Sequence, residues 1–114
     1  MNRIEELLII LSEECAEVSQ AAIKCVRFGI DDEYDGILNR YKLERELGDL
    51  LAMFKLLVEE AGIREETVME AAEAKLVKVE KFMSNRKSGI PRIAPLGKQA
   101  SFPSYKPRKN KPRS

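Results

Sequence analysis

Residues 3–28 read RIEELLIILSEECAEVSQAAIKCVRF, a stretch with no proline and no glycine. Ile4, Leu8, Leu11, Cys15, Val18, Ala22 and Cys25 recur at steps of three and four, with Leu7 and Val26 beside them. That is the period of an amphipathic helix, not of a strand. Gly29 supplies a stop, and Arg27 suits the negative end of the helix dipole. The same period returns over residues 40–61, where Leu43, Leu47, Leu50, Phe54, Leu57, Val58 and Ala61 form the stripe, Asn39 serves as N-cap and Gly62 as stop. A third helix is predicted over residues 64–85, with a narrower stripe of Val68, Ala72, Leu76, Val79 and Met83. Its acids Glu65, Glu66 and Glu70 come early, and Lys78, Lys81 and Arg86 come late, as the dipole favours. Residues 29–39 carry turn chemistry in Asp31-Asp32, Asp35-Gly36 and Asn39. Tyr34, Ile37 and Leu38 predict that this connector packs down, and a short helical turn is compatible with it. The fold class is all-α.

At 114 residues and 44% apolar content the chain has material for one core. Its net charge of +1 hides a division. Residues 1–83 hold 11 Lys/Arg against 19 Asp/Glu, whereas residues 84–114 hold 9 Lys/Arg and no acid. All five prolines (Pro91, Pro95, Pro103, Pro107 and Pro112) also fall late. The reading is a helical domain over residues 1–86 and a basic, proline-rich tail over residues 87–114, extended or disordered unless a partner holds it. With no histidine, His-based nucleophile pairs, zinc-finger ligands and His-bridged metal sites are excluded. No apolar run approaches the ~20 residues that span a bilayer, and no signal peptide is visible, so a cytoplasmic protein without membrane contact is expected. Cys15 and Cys25 would lie ~15 Å apart along one helix, too far for a disulfide. They read as small buried apolar side chains in a reducing compartment.

Two short segments carry chemistry. Glu13-Glu14-Cys15-Ala16-Glu17 lies on the first helix and Glu46-Leu47-Gly48-Asp49 on the second. Glu14/Glu17 and Glu46/Asp49 are both i, i+3 pairs, and each pair shares one helix face. Glu14 falls ~70° from the centre of its stripe and Glu17 ~130°, while Glu46 falls ~60° and Asp49 ~120° in the same sense. Each helix thus sets one carboxylate at the core edge and one further out. Four converging carboxylates repel in a poorly hydrated place, and a hard divalent cation offsets that repulsion. Oxygen ligands without His or Cys favour Mg²⁺, with Mn²⁺ as substitute, over Zn²⁺. Gly48 costs about 1 kcal/mol relative to alanine inside a helix, so a close helix or a ligand is expected beside it.

The pattern Glu14-x-x-Glu17, a spacer over residues 18–45, then Glu46-x-x-Asp49, resembles the MazG-like all-α nucleoside triphosphate pyrophosphohydrolases. The flanking blocks Glu13–Val18 and Leu43–Leu51 are also similar, and Arg27-Phe28-Gly29 with Asn39-Arg40 resembles compact, phage-type members. The resemblance covers roughly residues 4–86. It implies Mg²⁺-dependent cleavage of a ribo- or deoxyribonucleoside triphosphate between the α and β phosphates, giving monophosphate and pyrophosphate. By carry-over Glu14, Glu17, Glu46 and Asp49 bind the metal, and Glu13 resembles the family's extra acid, a candidate catalytic base. Candidate substrate contacts are Lys24, two turns beyond Glu17 on the same flank, Lys75 near the third stripe, and Arg27 and Asn39 at either end of the connector. The spacer is long and acidic, and the basic tail is no part of the motif.

Three helices with wide stripes rarely close a core alone at this size. A helical bundle completed by homo-oligomerisation, as a dimer or tetramer, is therefore expected, and the resemblance points the same way. Two other functions fit the sequence: a non-catalytic helical interaction module, and nucleic-acid binding through the tail, where Phe102 and Tyr105 stand among Lys and Arg.

Overall fold

The computed structural model describes residues 1–83. Helix α1 spans Arg3–Phe28, a two-stranded hairpin follows with β1 at Glu33–Tyr34 and β2 at Ile37–Leu38, and α2 spans Asn39–Ala61. These elements form one compact unit, Met1–Ile63. Helix α3, Glu65–Phe82, belongs to a second unit that begins at Arg64. The all-α reading holds for the described residues, apart from the four strand residues of the hairpin. The proline-rich tail lies outside them. No helix among the described residues is long and apolar enough to cross a membrane.

Helix α1 starts on a capping box. The Asn2 side chain accepts from the Glu5 amide at 2.8 Å, and the Glu5 carboxylate accepts from the Asn2 amide at 2.9 Å. Two otherwise orphaned amides are satisfied this way. It ends at Gly29, whose φ of 101° only glycine adopts readily. The connector forms no helical turn. Asp35 and Gly36 take φ of 55° and 76°, the pair of positive values that a two-residue hairpin loop requires for its twist to match the strands. Glu33 pairs with Leu38 and Tyr34 with Ile37.

Helix α2 is capped differently from the sequence expectation. Leu38, not Asn39, is its N-cap, and no side chain caps it. The first amides are met by the connector backbone instead: Asn39 N–H donates to the Asp32 carbonyl and Arg40 N–H to the Ile30 carbonyl, each at 2.9 Å. Asn39 turns inward, is 1% exposed, and donates its side-chain amide to the Gly29 carbonyl at 2.9 Å. Arg40 closes the same junction with a two-point contact to the Asp31 carboxylate.

The two helices run antiparallel, since Arg3 at the start of α1 pairs with Glu60 near the end of α2. Leu7, Met53 and Leu57 form the buried cluster at that end, with Ile4, Leu11, Leu56 and Ala61 packed around it. The buried line of α1 differs from the predicted stripe centre. Leu7 and Ala21 are buried, whereas Leu8, Cys15 and Val26 are exposed. Neither cysteine is a core residue: Cys15 is exposed, Cys25 half-buried, and both are free thiols. No described residue of α3 is fully buried; its Leu76 and Val79 are exposed, as is Met83 just beyond its end.

Leu57 is 6% exposed at the heart of the cluster. Leu57→Ala is expected to cost about 2–5 kcal/mol, read as a lower urea midpoint with an unchanged slope.

Candidate metal centre

Seven residues on a helix fall ~20° short of two full turns, so positions seven apart lie almost in line. On α1 that line is Leu7, Glu14, Ala21, and the outer two are buried. On α2 it is Asn39, Glu46, Met53, again with buried neighbours at both ends. Each helix therefore places a glutamate in the seam itself, in the middle of its packed face. This lies closer to the partner helix than the core-edge position predicted from the stripe. The rotation that buries Leu7 and exposes Leu8 and Cys15 also carries Glu14 inward.

Oxygens of Glu14, Glu17 and Glu46 all lie within 4.8 Å of one another. Asp49 adds its charge to the field at both Glu14 and Glu46. The structure thus brings the four predicted carboxylates into one neighbourhood. Glu17 and Asp49 stand exposed on the flank, while Glu14 and Glu46 are half-buried. Glu14 Oε2 and Glu46 Oε1 are shielded from solvent and accept no hydrogen bond. Buried acceptors without partners are rare and call for a reason.

The electrostatics follow from this placement. Burial raises the Glu14 carboxyl above its ordinary range, and Glu17, Asp49, Glu46 and Glu13 raise it further. Burial is also the main cause at Glu46, reinforced by Glu17 and Asp49, while Arg45 pulls the other way. The fit to a hard cation rests on the donor set: three convergent carboxylates, two of which carry a shielded oxygen without a hydrogen-bond partner, in a site that offers neither His nor Cys.

The remaining predicted residues are placed as follows. Glu13 is exposed on α1, close enough to Glu14 to act on its proton. Lys24 is half-buried and holds its ammonium 5.1 Å from the Tyr34 ring centroid. Arg27 lies over the Phe28 ring at 5.1 Å. Asn39 is enclosed at the connector junction, its amide committed to Gly29. Lys75 is exposed on α3, in the second unit. Sequence reasoning did not single out Tyr34 and Lys42 for the site. Lys42 carries its ammonium to 5.6 Å from the same ring, and the Asp35-Gly36 turn was the available signal for a hairpin holding Tyr34 there. Gly48 is exposed, and a Cβ there would meet nothing within 4 Å. The close helix expected beside it is absent among the described residues. No family model, curated protein or solved structure matches the chain.

Two outcomes follow. Raised carboxyl pKa values mean that folding takes up protons between the unfolded value, about 4.3 for Glu, and the folded one. Metal-free stability from this pair is greatest below the unfolded value and falls as pH climbs through the folded values of Glu14 and Glu46. Glu60 contributes with the opposite sign, because Arg3 lowers its pKa. The double variant Glu14→Gln, Glu46→Gln should therefore melt higher than the parent at pH 7 in EDTA, and the difference should shrink towards pH 4, as calorimetry at several pH values will show. Gly48→Ala should add up to about 1 kcal/mol to stability, measured by urea unfolding.

Proposed function

We propose that the protein is a Mg²⁺-dependent nucleoside triphosphate pyrophosphohydrolase, which hydrolyses a ribo- or deoxyribonucleoside triphosphate between the α and β phosphates. The observation that carries this reading is the pair of seam glutamates, Glu14 and Glu46, each with a shielded oxygen that accepts no hydrogen bond, grouped with Glu17. The resemblance of both carboxylate segments to those of the MazG-like enzymes supports it, since that family uses such a quartet for this reaction.

In this reading Glu14, Glu17, Glu46 and Asp49 hold Mg²⁺, with Mn²⁺ as substitute. A divalent cation bound there supplies charge neutralisation for phosphate oxygens and acidifies a water. The chain's own groups do the rest. Glu14 and Glu46 enter the site from opposite helices, so the packing of α1 against α2 fixes the spacing of the ligands. Low local hydration at their shielded oxygens strengthens any charge interaction made there. A carboxylate takes the proton from the attacking water; Glu13 is the candidate, being exposed and adjacent to Glu14. Self-association belongs to the same reading, because α1 leaves Leu8 47% and Val26 80% exposed on the side away from α2, a surface suited to a second copy. A cytoplasmic nucleotide pool is the matching compartment.

Product analysis tests the assignment. With Mg²⁺ and a panel of ribo- and deoxyribonucleoside triphosphates, monophosphate and pyrophosphate should accumulate in equal amounts, and Glu46→Gln should abolish them. No cleavage of any triphosphate with either Mg²⁺ or Mn²⁺ overturns the reading. In parallel, Mg²⁺ should raise the melting temperature of the parent and leave the Glu14→Gln, Glu46→Gln variant unchanged, because the ion binds only the folded cluster.

A further inference from the structure

On the connector side of the carboxylates the same two helices carry a cluster of opposite charge. Lys24 is seven residues from Glu17, ~10 Å along the axis of α1, and Lys42 is one turn from Glu46, ~6 Å along α2. The hairpin brings Tyr34 to both. The Lys24 ammonium lies 5.1 Å from its ring centroid and the Lys42 ammonium 5.6 Å. Phe28 stacks against Tyr34, with ring centroids 5.8 Å apart and planes inclined by 27°. This buttresses the ring from the end of α1.

Two ammonium groups gathered on one ring repel each other. The ring quadrupole attracts each of them, but it carries no net charge to cancel theirs. The ion pairs Arg3 to Glu60, Arg40 to Asp31 and Arg64 to Glu66 lie elsewhere. Two cations held on one ring, beside a cluster of carboxylates, form a dipolar site. Its negative end suits a cation and its positive end suits a polyanion.

We propose that Lys24 and Lys42, positioned by Tyr34, form the subsite for the terminal diphosphate of a nucleoside triphosphate. This rests on the hydrolase reading and assigns the part of the substrate that the carboxylates do not hold. When the water oxygen bonds to the α-phosphorus and loses its proton to a carboxylate, the bond from that phosphorus to the bridging oxygen breaks. The electron pair stays on that oxygen, and pyrophosphate leaves with one more negative charge. Ammonium groups fixed where that charge develops stabilise the transition state more than the ground state. Tyr34 is a positioning residue, acting through the two lysines.

Inorganic pyrophosphate is the probe, titrated calorimetrically into the full chain in EDTA. Saturable one-site binding is expected, weakened at least tenfold by Lys24→Ala with Lys42→Ala and several-fold by Tyr34→Leu. Tyr34→Phe should retain affinity, because the ring and not the hydroxyl holds the ammonium groups, and Lys55→Ala on exposed α2 surface should change nothing. Circular dichroism melts of each variant separate misfolding from lost binding, and Lys42→Arg should restore affinity to a Lys42→Ala chain that folds. Pyrophosphate affinity unchanged in the double lysine variant, or no saturable binding to the parent, overturns the subsite. The two readings fail separately. Cleavage by the parent with lysine-independent pyrophosphate binding removes the subsite and leaves the hydrolase. Lysine-dependent binding without cleavage removes the hydrolase and leaves a diphosphate site.

Discussion

Glu14 and Glu46 occupy the seam between α1 and α2, and the remaining structure accommodates that fact. A helix pair ordinarily fills every layer of its contact with apolar side chains. Here the middle layer holds carboxylates that burial and like charges both disfavour in ionised form. Packing is consequently concentrated away from the centre. One end holds the Leu7, Met53 and Leu57 cluster, and the other holds Asn39 and the connector. A repulsive middle between two cohesive ends suits a site whose electrostatics are completed by something it binds.

The connector end shows how much a short segment can organise. Carbonyls of Ile30 and Asp32 cap α2, the Asn39 amide anchors to Gly29, and Arg40 pins Asp31. This leaves the hairpin a fixed platform, from which Tyr34 reaches lysines on both helices. Along the helix pair the layers therefore read apolar cluster, carboxylates, cations with aromatics, hairpin. On the proposed reading, the negative and positive layers on one flank would take the metal ion and the polyphosphate chain of the substrate respectively.

Helix α1 has more apolar surface than α2 uses. Its wide stripe divides into an inner line through Leu7, Glu14 and Ala21 and an outer side bearing Leu8, Cys15 and Val26. The outer side explains why the cysteines are not buried within the chain, and it gives the proposed self-association a surface separate from the carboxylates. The missing neighbour at Gly48 has a similar sense, since α2 is open there.

The identity of all three helices, and the length of α1 and α2, were legible from residues alone, because the 3.6-residue period, the Gly29 and Gly62 stops and the dipole-matched charges are local properties of the backbone; α3 ends at Phe82, short of the expected residue 85, with Met83 already extended. The i, i+3 spacing likewise fixed Glu14 with Glu17 and Glu46 with Asp49 on shared faces. Tertiary structure decided which part of a wide stripe turns inward. That choice depends on the rotation of one helix against another, to which Leu7 and Leu8 are equally suited by composition. It put Glu14 in the seam, left Cys15 outside, and made Asn39 an internal anchor when Leu38 took the cap. The handed twist of the hairpin, set by two positive φ angles at Asp35 and Gly36, brought Tyr34 to Lys24 and Lys42. Residues ten and eight positions from Tyr34 meet at its ring because the chain reverses there, and no local period encodes such a reversal.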